Sequence, residues 1–499
     1  MTSDPAAADA PDTALEDETV KARRAGPRRP VVNGFDDELA RLDAVATIDA
    51  LDRGDLSVRE VVRASVDRAR VLGPRLGAVA FERYDVALGG TSPQRPRRGG
   101  FHGVPTFIKD MVPVAGLPLT WGSEALTGGP RKRRTAGVAK DMEAMGLTIL
   151  GSSTMPEWGF TPSTEFPHLD PTRSPWNPQR SVGGSSGGAA ALVASGVIPV
   201  AHAVDGGGST RIPAACAGLV GHKPTLGRLR RHTDEAMLPV SISVDGVVTR
   251  TVRDTARFYA EMERVFRPRH LPPMGEVSGP PTRRLRIGIL GEVAGVAELD
   301  PPTRATLDET ATLLEDLGHH LEPVDPPVHP QQFRADFIDY YRFLVFAATR
   351  TARVSHGSHF RMDALTPFTM SMAASFRSDP GRVVGAARRL RASRNQVAAV
   401  YRRFDVLLSP TLASVAPELG YLATDVEFEV LLDRIASWMT YTPIANASGT
   451  PAITLPMGFD DKAQVPVGAM LSADFGQDAV LVQLGLELEQ AKPWDLARL

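Results

Sequence analysis

Three short stretches carry residue types from which a reaction could be built: "GVPTFIKDMVP" at 103–113, "SVGGSSGG" at 181–188 and "DGGGSTR" at 205–211. Serines set among glycines first suggest a phosphate cradle, which needs GxxxxGK[ST] or GxGxxG between a strand and a helix. Counted from Gly206, "DGGGSTR" puts Arg211 where the last glycine belongs, and "GLVGHKPT" interposes His222 before its lysine, so neither pattern fits. "GSSGG" at 184–188 does match GxSxG, which would make Ser186 a nucleophile served by a histidine, as in a Ser–His–Asp esterase. Such an elbow follows a buried apolar strand, whereas the upstream "SPWNPQRSV" is polar and proline-rich. The third candidate is Lys109. Only seven of the 56 basic residues are lysine, yet one sits inside an apolar, strand-like run. Burial there favours the neutral amine, a proton acceptor that arginine cannot be. A lysine paired with Asp110 or reaching to the surface is the other reading, and the local pattern leaves both open.

The elements that must position these residues follow from the apolar spacing. The 499-residue chain has a net charge of −2, with 42% hydrophobic and 23% charged residues, so it has ordinary globular composition without the basic stripe of a nucleic-acid binder. Its single cysteine, Cys216, excludes an internal disulfide and a cysteine-based zinc site, predicts a cytoplasmic protein, and reads as a buried small hydrophobe. The eleven histidines show no metal-ligand spacing, and the adjacent His319 and His320 read as solvated. Residues 1–34 lack an apolar stretch and read as a disordered tail. The longest apolar run, 189–204, is broken by Pro199 and His202, is too short for a bilayer, and predicts a helix followed by a strand. Ser57 with Glu60 predicts a capping box, ahead of a strand at "RLGAVAFE". Strands at "GVPTFIKDMV", "LTILGSS", "RRLRIGILGE", "FDVLLSPT", "PAITLPMG" and "PVGAML" alternate with helical segments, which argues an α/β fold. Residues 35–499 read as one domain, with a mostly helical, aromatic-rich stretch at about 330–404.

"GVPTFIKDMV", followed by "RSVGGSSGGAAALVASGVIPVAHAVDGGGSTRIPAACAGLVGHKPTLGR", closely resembles the amidase signature family, with the elements in its order and spacing. "ILGSSTMPEWGF", "DGVVTRTVRDTARF" and "TPIANASGTPAITLPMG" resemble its other landmarks, so the likeness spans about 36–496, with a signature core at about 100–265. The spelling is similar to the branch with 6-aminohexanoate cyclic dimer hydrolases and actinobacterial amidases. The resemblance implies an α/β/α sandwich, a large mixed twisted sheet covered by helices on both faces. It also implies a Ser–Ser–Lys triad whose bridging serine follows a cis peptide bond. Position by position, Ser209 matches the nucleophile, Ser185 the bridging serine and Lys109 the terminal base. Gly206, Gly207, Gly208 and Ser209 would supply an oxyanion hole, and Ser186, Asp205 and Arg211 would support it. The chain departs from the usual spelling at Val182, Gly206 and His222, none of them a triad position.

The implied activity is hydrolysis of a small-molecule amide through an acyl-enzyme, without metal, cofactor, nucleic acid or membrane, and with a homodimer as the expected assembly. A catalytic subunit of a glutamine-dependent tRNA amidotransferase and the Ser186 esterase are the alternatives. Phe337, Tyr340, Tyr341, Phe343, Phe346, Phe368, Met370 and Met372 are the candidates for an apolar acyl pocket, each also readable as a core helix position.

Overall fold

The computed structural model describes residues 33–89, 100–230 and 238–494. The tail expected at 1–34 lies outside them apart from Asn33 and Gly34, whose N–H donates to Ser195 O at 2.9 Å.

Among the described residues, eleven strands form two sheets. β1 (Val79–Glu82), β2 (Pro105–Lys109) and β3 (Thr148–Ser153) make the smaller one, in the order β1-β3-β2. The larger contains β4 (Val200–Asp205), β5 (Val220–Lys223), β6 (Val244–Thr249), β7 (Arg286–Ile289), β8 (His320–Pro323), β9 (Val406–Pro410), β10 (Ala452–Asp460) and β11 (Val465–Ala473). Its order is β4-β6-β5-β10-β11-β9-β7-β8, with β7 parallel to β8 and β9 and the other pairs antiparallel. The expected large mixed sheet is present; a gap without ladder hydrogen bonds separates its β4 from β2 of the smaller sheet. Side chains bridge this gap: Thr106 Oγ1 donates to Val200 O (3.0 Å), and the Lys109 N–H donates to His202 Nδ1 (3.3 Å).

Helices cover both faces of the large sheet, as residue alternation along β10 makes visible. Thr454 faces the Arg211–Ala217 helix, whose Ala214 and Ala215 press on Gly221 and Gly468. Leu455, on the opposite face, lies near Gly485 of the Asp478–Ala491 helix. The Gly187–Ala194 helix is apolar all round and buried along its whole length, as such a helix must be. A Cβ at Gly188 would stand 2.4 Å from Thr154 N, so only glycine lets this helix start against β3. Around the site stand helices at Pro330–His356, Pro367–Ser378, Arg382–Val400, Phe428–Trp438 and Pro443–Ser448. Four of them begin with proline or arginine near N1; proline there forgoes only a donor that would lack an intrahelical partner.

Ser57 and Glu60 form the predicted capping box. His319 corrects the sequence reading. It is buried, with Nδ1 accepting the Leu285 N–H and Nε2 3.0 Å from Glu487 Oε2, because it sits at a sheet edge under the C-terminal helix.

Candidate active site

Lys109 ends β2, Ser185 and Ser186 lead into the Gly187–Ala194 helix, and Ser209 lies in the turn between β4 and the Arg211–Ala217 helix. The peptide bond between Gly184 and Ser185 is cis. Lys109 Nζ lies 2.7 Å from Ser185 Oγ and 3.3 Å from Val204 O. It makes no ion pair with Asp110, whose carboxylate instead accepts from Thr120 and Gly122. Burial pushes the Lys109 amine down to about 7, partly countered by the charges of Asp205 and Asp245. Asp245 is itself 3.0 Å from His202 Nε2. A depressed lysine alone does not mark a site. Lys223 is also pushed to about 7, by burial and Arg211, yet its amine donates to Pro224 O and does not reach the cavity.

The nucleophile-loop candidates are held from beneath. Asp205 accepts from Arg211 Nε and Nη2 (both 2.9 Å), the Gly208 N–H (2.8 Å), the Thr210 N–H (3.2 Å) and the Arg211 N–H (3.4 Å). Burial opposes its ionisation, but Arg211, with Lys223 and Asn446, holds the carboxyl well below the usual carboxylate range. The Gly208 N–H is therefore already engaged, which corrects its expected place in an oxyanion hole. Gly208 has φ +130°, and a Cβ there would lie 2.3 Å from Thr442 Oγ1, so the turn admits no side chain. Arg211 is fully buried beneath the loop and does not line the cavity.

Lys109, Ser185 and Ser209 line one cavity of about 510 Å³, together with Gly206 and Gly207. Ser186 does not line it; its Oγ turns back to the backbone of Val204, accepting from N (3.3 Å) and lying 3.4 Å from O. The Ser186 N–H donates to Ser209 O (3.2 Å), tying the two glycine-rich stretches together. Among the described residues no hydrogen bond joins Ser209 Oγ to Ser185 Oγ. Such contacts often tighten only when substrate is bound.

The cavity wall is aromatic. Phe333, Phe337 and Tyr341 stack along one face of the Pro330–His356 helix, with centroids 6.0 and 6.2 Å apart; Phe160 packs edge-on against Tyr341 at 5.8 Å, and Trp121 and Trp158 also line the wall. Of the residues singled out from sequence, Phe337, Tyr341 and Phe368 line it. Tyr340 instead bonds to Val240, Phe343 and Phe346 pack on Phe376, Met372 is buried elsewhere, and Met370 is exposed. Sequence reasoning passed over His202, Thr442 and Asn446. Asn446, a polar residue in the small, apolar "TPIANASG", carried a signal that went unused.

Two serines and a buried lysine thus meet at one cavity beside a mixed sheet with helices on both faces. The chain belongs to the amidase family: the family description "Amidase" matches residues 60–482. It is 43% identical over 459 residues to a Mycobacterium tuberculosis protein bearing the amidase name AmiC, covering 92% of this chain and 96% of that protein. The solved structure of 6-aminohexanoate cyclic dimer hydrolase with substrate superposes with TM-score 0.83 at 28% identity, covering 93% of this chain and 99% of the other. That of a bacterial aryl acylamidase of the amidase signature family superposes with TM-score 0.81 at 27% identity, covering 92% and 98%. The protein is an amide hydrolase. Among the described residues, no helix is long and apolar enough to cross a membrane.

The Asp205–Arg211 fork gives a direct stability test. Arg211→Lys keeps the charge but loses the paired geometry, and should lower unfolding free energy by about 2 kcal/mol in urea titration. An unchanged midpoint would contradict the role given to the fork.

Proposed function

We propose that the protein hydrolyses uncharged carboxylic amides with apolar, flat acyl or aryl groups through a Ser209 acyl-enzyme. The observation that carries this reading is the 2.7 Å contact of the fully buried Lys109 amine with Ser185 Oγ, at the floor of a cavity that Ser209 also lines. Neutral Lys109 takes a proton from Ser185, which takes one from Ser209 as its Oγ attacks the substrate carbonyl. The N–H groups of Gly206, Gly207 and Ser209 face the developing oxyanion, each such donor contributing about 3–4 kcal/mol. Protonated Lys109 returns its proton through Ser185 to the leaving nitrogen, and the amine departs. Water, deprotonated by the same relay, then releases the acid from Ser209.

The substrate class rests on what the cavity can and cannot pair. Among the described residues lining it, Lys109 and Arg334 are the only charged ones, and Arg334 is engaged with Asp433 and Ser437. Tyr341 and Tyr441 donate their hydroxyls to backbone carbonyls. A glutamine would bring an ammonium and a carboxylate, and no acidic side chain lines the described wall to meet the ammonium, which disfavours the amidotransferase reading. The stacked rings favour a planar apolar group, in keeping with the likeness to the aryl acylamidase.

Turnover of a panel of nitroanilides, aliphatic amides and linear or cyclic nylon oligomers tests the class, with the anilides expected to be fastest. Ser209→Ala should abolish hydrolysis with the fold intact by circular dichroism, while Ser186→Ala keeps turnover of the parent's order. The reverse pattern would support the esterase elbow instead. The pH dependence has a fixed sign. Only neutral Lys109 can accept a proton, so kcat/KM should rise with pH through about 7. A profile flat between about pH 5.5 and 8.5 would show that no such base is used.

A further inference from the structure

Two side chains outside the three chemistry-bearing stretches, Thr442 and Asn446, reach the turn that carries Ser209. Asn446, 1% exposed, lies in the Pro443–Ser448 helix. Its Nδ2 is 2.9 Å from each of three oxygens, Asp205 O, Asp205 Oδ1 and Ile242 O, so its two hydrogens are shared among three acceptors. Its Oδ1 accepts from Arg211 Nη2 at 2.7 Å. The amide thus closes a ring with the Asp205–Arg211 fork and also grips the backbone carbonyl of Asp205.

That last contact bears on the cavity. In a trans peptide the C=O and the following N–H point in opposite directions. Holding Asp205 O on the Asn446 side therefore directs the Gly206 N–H away from Asn446. Ser209 is handled in the same way. Gly208 O accepts the Ile212 N–H at 2.7 Å, which turns the Ser209 N–H outward from its helix. Thr442, just ahead of Asn446, donates to Gly207 O at 2.6 Å and fixes the intervening peptide, whose N–H bonds Asp205 Oδ1. Each carbonyl on the inner side of the turn named here has a donor, and the turn cannot rotate without breaking one.

We propose that Asn446 is a positioning residue for the amide hydrolysis: it aims the Gly206 N–H at the substrate carbonyl oxygen and locks the Asp205–Arg211 fork beneath Ser209. The inference rests on the Ser209 reading given above. A donor aimed before substrate arrives needs no reorganisation as charge develops, so its loss should appear in the chemical step rather than in binding.

The test compares Asn446→Ala, Asn446→Asp and Ser448→Ala on a nitroanilide, with kcat expressed per folded protein. Ser448 lies on the same helix, and its hydroxyl bonds Ile444 O and Thr450 Oγ1 and not the Ser209 turn, so its variant controls for damage to the helix. Asn446→Asp keeps the shape and the acceptor for Arg211 while removing both donor hydrogens, and so covers the case in which the alanine variant fails to fold. Expected is a fall in kcat of about 10²–10³-fold for either Asn446 variant, with KM within about threefold and Ser448→Ala near the parent. A kcat within about threefold of the parent, or a loss confined to KM or to thermal stability, overturns the proposal. Ser209→Ala run alongside separates the two levels: if it is inactive and the Asn446 variants are not, only the positioning role fails. If Ser209→Ala remains active, the nucleophile assignment fails and takes this inference with it.

Discussion

The arrangement depends on keeping one amine out of water. Lys109 has no solvent to stabilise an ammonium, and its polar neighbours are a serine hydroxyl and a backbone carbonyl. The two anions that could restore its charge are each occupied elsewhere, Asp205 by Arg211 and Asp245 by His202. Desolvation therefore wins, and burial holds the amine down to about 7. The break between the two sheets belongs to the same arrangement. Because β2 and β4 do not pair as a ladder, the Lys109 backbone bonds the His202 ring while its side chain reaches Ser185.

The glycine-rich stretches answer a packing demand on either side of that lysine. Before Ser185 and Ser186 stands a cis peptide, and after them a helix that meets β3 at a distance no Cβ allows. Around Ser209, Gly208 lets the backbone pass against Thr442, while Gly206 has open space where a side chain would stand. The departure from the family's usual spelling at Gly206 thus leaves the cavity wider beside the proposed oxyanion donors. Asp205 is the common anchor of this loop, taking three of its backbone N–H groups and the Arg211 fork at once.

Much of this was legible in the sequence where the signal was local. The strand ending at Lys109, the helix-then-strand at 189–204, the capping box at Ser57 and the helices after residue 330 follow from periodicity and caps. A lysine placed among apolar residues left burial and surface pairing both open, and the local pattern could not name Ser185, 76 positions away, as its partner. What stayed hidden depends on distant neighbours. Whether Phe337 faces the cavity while Phe343 faces Phe376 is set by the rotation of a long helix against three others. His319 is buried because the C-terminal helix supplies Glu487. The Gly208 N–H and Asn446 both owe their roles to the Asp205 carboxylate, which no spacing rule connects to position 446.

The central claim is that a buried lysine activates Ser209, and not Ser186, through Ser185. Covalent labelling with a fluorophosphonate, read by peptide mass mapping across a pH series, addresses it directly. The account predicts a single adduct on Ser209, forming faster as pH rises through about 7 and lost in Lys109→Ala. An adduct on Ser186, or undiminished labelling of Ser209 without Lys109, would contradict it.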